Sequence, residues 1–177
     1  MMNSQGNPFG DAQRAQQSEL RRRVDRAQDY DEIFELVKRV VEMELGQHRA
    51  GLTLVLASMQ NTVGAYHPIA SNVIVLNKSL VSAFRRVTKD PREINAFVFM
   101  VLMHEYLHSL GYLDEHQVRR MSQRMCANTL GSDHLTVKLA VGNWLEMYPQ
   151  LEKVTLPTSK EYEVVTKFDT SSTSYIG

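Results

Sequence analysis

The stretch from Asp90 to Gly111 constrains the fold more than any other part of the chain. Asp90-Pro91-Arg92-Glu93 is a helix start: aspartate accepts from first-turn amides, proline suits the first helical position, and Glu93 completes a capping box. Eight apolar residues, Ala96 to Met103, follow. A helix turns once every 3.6 residues, so a run of that length leaves no polar face and such a helix is buried on all sides. The pattern continues through His104 to Leu110 and stops at Gly111. The rest of the chain has to be built around this rod, roughly 30 Å long at 1.5 Å per residue.

The remaining patterning supplies elements to surround it. Leu20 and Val24 form a thin apolar stripe from Ser18 onward, among arginines that read as a solvated face. Ile33, Leu36, Val37, Val40, Val41 and Leu45 recur at helical spacing from about Asp31, and Gly46 ends that helix. Leu52 to Ala57 and Asn72 to Asn77 are short aliphatic runs that suit buried strands, with Gly64 to His67 as a short partner strand. Lys78 to Val87 reads as a helix capped by Asn77, and two more helices are expected from about Glu115 to Thr129 and His134 to Met147. The fold class is therefore α+β, mainly helical, with a small sheet packed on the central helix. One domain spans 18–149, between a flexible N-terminal tail at 1–17 and a C-terminal tail at 150–177 with at most one edge strand, near Tyr162 to Val165.

Composition excludes several classes. A single cysteine, Cys126, rules out an internal disulfide framework and a Cys-rich zinc module, and its helical spacing from Met121 and Met125 makes it a core residue. Lys and Arg number 20 and Asp and Glu number 20, so no net field favours nucleic acid or an anionic membrane. The longest apolar run is too short to span a bilayer, and no basic start followed by an apolar run heads the chain; the expectation is a cytoplasmic protein without membrane association.

The chemistry is concentrated at His104-Glu105-Tyr106-Leu107-His108. Residues four apart share one helix face, so both imidazoles can reach one ion, with Glu105 beside it to take a proton from water. Burying two histidines and a glutamate costs free energy unless they have partners, and one divalent cation serves all three. This is the H-E-x-x-H arrangement of zinc metallopeptidases. Extended, His104-Glu-x-x-His108-x-x-Gly111-x-x-Asp114 resembles, over these 11 residues, the signature of the metzincin clan, in the form with Asp that the snapalysin-like branch uses. Most of the clan has His at the last position, and no methionine-turn sequence follows here. The resemblance implies a minimal zincin-like domain holding one Zn²⁺ through His104, His108 and Asp114. It also implies Glu105 as general base, a peptide or protein substrate, and an edge strand that binds substrate backbone, either Gly64 to His67 or Asn72 to Asn77.

Alternatives stay open at the third ligand. Asp114, followed by Gln117, has the spacing of a capping box for the next helix, and Glu115, His116 and the more distant His134 compete with it. His67 sits by the expected edge strand as a ligand or donor, whereas His48 reads as surface. Tyr66, Tyr106 and Tyr112 are candidate proton donors that packing explains equally well. Two rival functions also remain. A bacterial family of single-domain metal-dependent endoribonucleases has a similar run, matched here by His104, His108, Gly111, Tyr112, Asp114 and His116, with Arg85, Arg86, Arg119, Arg120 and Arg124 as a local basic patch. The other rival is a non-catalytic, metal-stabilised domain that binds a protein partner.

Overall fold

The computed structural model describes residues 8–154 and 159–170. In chain order they form α1 (Pro8–Arg26), α2 (Tyr30–Leu45), β1 (Thr53–Ala57), β2 (Ala65–Tyr66), β3 (Val73–Asn77), α3 (Lys78–Val87), α4 (Pro91–Ser109), α5 (Glu115–Leu130), α6 (Leu135–Val141), α7 (Trp144–Met147), a 3-10 turn (Pro149–Lys153) and β4 (Glu163–Val164). The architecture is mainly helical α+β, and no helix among the described residues is long and apolar enough to cross a membrane.

α4 occupies the centre. Every residue from Ala96 to Met103 is buried, because α1, α2, α3, α5, α6, β2 and β3 all pack against this helix. Asp90 caps its start by accepting from the Arg92 amide at 3.0 Å, with Pro91 in the first turn. Glu93 does not close the expected capping box; its Oε2 accepts from the Tyr148 hydroxyl at 2.7 Å and ties the 3-10 turn to the helix. At the other end Gly111 has φ +100°, a left-handed conformation that L side chains rarely adopt. The chain reverses there and leads into α5.

The sheet has the order β2-β3-β1-β4, with β1 parallel to β3 and both outer strands antiparallel to their neighbours. β2 is therefore an edge strand beside α4, and β3 is internal. Asn77, fully buried, sets the approach to that edge. Its Oδ1 caps α3 through the Ser79 and Leu80 amides, while its Nδ2 donates to the carbonyls of Met59, Gln60 and Val63 in the loop leading into β2. A second clamp comes from Arg49, whose guanidinium donates to the carbonyls of Ser109 and Ser71. The Arg49 backbone exchanges hydrogen bonds with the hydroxyl of the buried Tyr106.

Of the two expected tails, residues 1–7, 155–158 and 171–177 lie outside the described residues; the described residues next to them are folded further than the patterning predicts. α1 begins at Pro8, ten residues before Ser18, and Gln17 reaches the carbonyls of Ala127 and Asn128 on α5. At the C-terminal side, β4 is the one expected edge strand, but residues 165–170 beyond it are built into the domain. Phe168 stacks on Phe34 with ring centroids 4.4 Å apart. Asp169 is buried, pairs with the buried Lys38, and accepts from the Leu52 amide at 2.9 Å. An aromatic ring, a buried ion pair and hydrogen bonds from Thr170 to Asp31 hold this segment, and none of them leaves a periodic trace in sequence. The expected last helix is split into α6 and α7 at Gly142. A Cβ there would lie 2.8 Å from the Lys138 carbonyl oxygen, and Asn143 starts a new cap through the Leu145 amide.

Candidate metal centre

His104 and His108 fall on consecutive turns near the end of α4, on the face that looks past Gly111 to the start of α5. Their rings meet edge to face, with centroids 4.8 Å apart and Nε2 atoms 3.1 Å apart. Glu115, the first residue of α5, completes the group: Oε2 lies 3.0 Å from Nε2 of His104 and Oε1 lies 3.1 Å from Nε2 of His108. These three side chains form a group able to hold a metal ion.

The donor set fits a cation. The His108 Nδ1 lies 2.7 Å from the Tyr112 carbonyl oxygen, which only accepts, so that nitrogen carries the hydrogen and donates. In neutral His108 the Nε2 then presents a bare lone pair to a carboxylate oxygen and to a second imidazole nitrogen. Nε2 of His104 either donates its own hydrogen to these acceptors or, in the tautomer protonated at Nδ1, adds a third lone pair that one cation can accept together with the other two. Atoms about 2.0–2.1 Å from a tetrahedral ion lie about 3.3–3.4 Å from one another; the two Nε2 atoms, 3.1 Å apart, are close to that spacing, and one donor atom from each of the three residues lies within 4.8 Å of the others. The Tyr112 carbonyl is also the kind of outer partner that fixes the ring of a ligating histidine.

Asp114 stands elsewhere than the clan signature implies. Its Oδ1 accepts from the Gln117 amide at 2.6 Å as the cap of α5, and the carboxylate facing the imidazoles belongs to its neighbour Glu115. An N-cap carboxylate is turned toward its own helix, whereas the next residue is free to point back at α4. His116 is exposed and does not join the group. His48 is exposed, as expected. Tyr106 is pinned by Arg49, and the Tyr112 hydroxyl donates to Gln47 at 3.0 Å, which leaves Tyr66 on β2 as the tyrosine of the three that lines the cleft.

His134, the distant candidate, caps α6 instead. It is 4% exposed, with Nδ1 2.9 Å from the Thr136 hydroxyl and Nε2 3.4 Å from Asp25 on α1. Burial holds its pKa below the usual histidine value, with Asp25 opposing. The unfolded chain takes up this proton as pH falls through about 6.5 while the fold resists it, so its contribution is complete above that pH and is lost below it. The urea midpoint is expected to fall between about pH 7.5 and pH 5.5, and to fall less in His134→Gln. Equal losses in the two proteins would show that other groups set the acid limit.

Glu105 points to the cleft side of the helix and is 5% exposed. Burial pushes its carboxyl up to about 8, the charge of Glu115 adds to this, and the donating His67 backbone amide opposes it. A cation held by the three neighbouring side chains reverses the sign of the local field and favours the carboxylate. Burial also holds His104 below the ordinary histidine range, opposed by Glu115 and reinforced by His108 and Arg119. The His67 ring donates from Nδ1 to the Val73 carbonyl at 2.8 Å, which ties the residue following β2 to the start of β3.

Two cavities flank the centre, and Ala65 of β2, Glu105 and Glu115 line both. One, of about 220 Å³, is walled by Gly64, Val101, Leu139 and Trp144. The other, of about 260 Å³, is bordered by Tyr66 and by Ile69 and Leu113, two apolar side chains that are 78% and 60% exposed. Together they make a cleft along β2, whose outer edge pairs with no strand among the described residues. Sequence reasoning passed over Arg119 and Trp144 as cleft residues; no local signal marks them, because α5 and α7 reach the cleft only through the packing of the whole domain. In comparisons with family models, curated proteins and solved structures, nothing matches the chain.

Proposed function

We propose that the chain is a zinc-dependent hydrolase of peptide bonds, with His104, His108 and Glu115 as metal ligands and Glu105 as general base. One observation carries this reading: the three ligand atoms converge while the other nitrogen of His108 is already committed to the Tyr112 carbonyl. Two imidazoles and one carboxylate suit zinc better than calcium or magnesium, which prefer oxygen. Zinc bound there supplies Lewis acidity, which makes water acidic near neutral pH and polarises a carbonyl.

The chain's own residues divide the remaining work. Glu105 takes a proton from the attacking water on its carboxylate and returns it to the leaving amine. β2 offers backbone donors and acceptors along its free edge, which an extended peptide meets by strand addition. This edge and the two-sided cleft favour a peptide over a compact substrate.

The test is to load the full chain with zinc, remove the excess, and measure bound metal and cleavage of a mixed peptide library. One zinc per chain and peptide hydrolysis that a chelator abolishes and added zinc restores are expected. A loaded protein that cuts RNA and no peptide, or that cuts nothing, overturns the assignment.

A further inference from the structure

The two cavities differ in charge. The one bordered by Ile69 and Leu113 contains the carboxylates of Glu105 and Glu115 with no arginine or lysine among its lining residues. The one walled by Val101, Leu139 and Trp144 also receives Arg119. This arginine lies one turn along α5 from Glu115, is exposed, and has no hydrogen-bond or ion-pair partner among the described residues. Glu115 is turned away from it toward the histidines. An unpaired guanidinium on a mixed hollow, lined by Val101, Leu139 and Trp144 as well as by His104, Glu105 and Glu115, is complementary to an apolar residue accompanied by a carboxylate.

The hollow is also the right size for one residue. At about 220 Å³ it is smaller than the roughly 300–1,000 Å³ pockets that take drug-sized ligands. Gly64 makes part of its wall, and a Cβ there would lie 3.1 Å from Val101 and 3.3 Å from Trp144, so the space exists because that position carries no side chain. The Trp144 indole N–H donates to the Asn61 carbonyl at 2.9 Å, which fixes the ring as the opposite wall.

Resting on the hydrolase reading, we propose that this cavity is the substrate subsite that sets specificity. It takes an apolar side chain, and Arg119 binds a carboxylate at or next to that residue. The carboxylate comes either from an acidic side chain or from a peptide C-terminus.

Trp144 is the chain's single tryptophan, so its fluorescence reports occupancy of the cavity without any turnover. The experiment titrates the full-length Glu105→Gln protein, in zinc-containing and in chelator-treated buffer, with four acetylated peptides. These are Ala-Ala-Ala-Leu-Glu and Ala-Ala-Ala-Leu-Gln, each as the free acid and as the amide. A carboxylate-bearing peptide is expected to bind about tenfold tighter than the Gln amide, and Arg119→Gln to erase the difference. Preference for the Glu amide identifies a side-chain carboxylate, and preference for the Gln acid identifies a chain terminus. Arg119→Glu, a change at an exposed site, is expected to prefer a fifth peptide, acetylated Ala-Ala-Ala-Leu-Lys amide, over the Glu amide. Equal binding of all four peptides, a preference that survives Arg119→Gln, or tighter binding of a short oligoribonucleotide overturns the proposal. Arg119-dependent binding without any peptide cleavage by the parent protein keeps the subsite and removes the hydrolase reading. Cleavage without charge preference does the reverse.

Discussion

Glu115→Ala is expected to weaken zinc binding by more than about 100-fold, since loss of an outer-shell partner alone typically costs 10–100-fold. Asp114→Ala, one residue away, is expected to leave zinc affinity nearly unchanged while lowering stability by about 1 kcal/mol, the usual cost of an N-cap. The two carboxylates are adjacent in sequence and differ only in what they face. Asp114 accepts from the Gln117 amide, and Glu115 lies within 3.1 Å of both imidazoles. Competition titrations with a chromogenic zinc chelator separate the variants directly. Loss of zinc in Asp114→Ala with retention in Glu115→Ala would return the third-ligand role to Asp114.

Glu105→Gln is expected to lower peptide turnover by about 10²–10⁴-fold, the range for a positioned general base, with one zinc per chain retained. Glutamine has the same shape, so packing at this buried site is preserved. What disappears is a group that takes a proton. Zinc content and single-turnover cleavage, measured on the same preparation, give the answer. A variant that holds zinc and cleaves at the parent rate would remove Glu105 from the reaction, and one that loses zinc would make Glu105 part of the metal site instead.

Much of the fold was legible because burial writes itself into sequence at regular spacing. The uninterrupted apolar run identified the central helix, Asp90 and Pro91 marked its start, and Gly111 marked its end. Asn77 was readable as the cap of α3, and Gly64 to His67 as a strand, for the same local reasons. The N-terminal turns of α1 and the docked segment around Phe168 were not legible. Their stabilisation comes from a few long-range contacts, Gln17 to α5 and Asp169 to Lys38, which have no period. The break at Gly142 was hidden by a continuous apolar pattern that two short helices share equally well with one long one.

At the centre, the pairing of His104 with His108 beside Glu105 was a property of the chain itself, because helical geometry places residues four apart on one face. The third carboxylate was not. Asp114 and Glu115 are equally near in sequence, and the choice between them depends on how the reversal at Gly111 sets α5 against α4 and which side chain is consumed in capping. The cleft belongs wholly to the tertiary structure: β2, α5, α6 and α7 each contribute one wall, and no span of sequence contains them together. Local interactions repeat along the chain and can be read there, whereas a site assembled from distant segments exists only once the core has brought them to the same place.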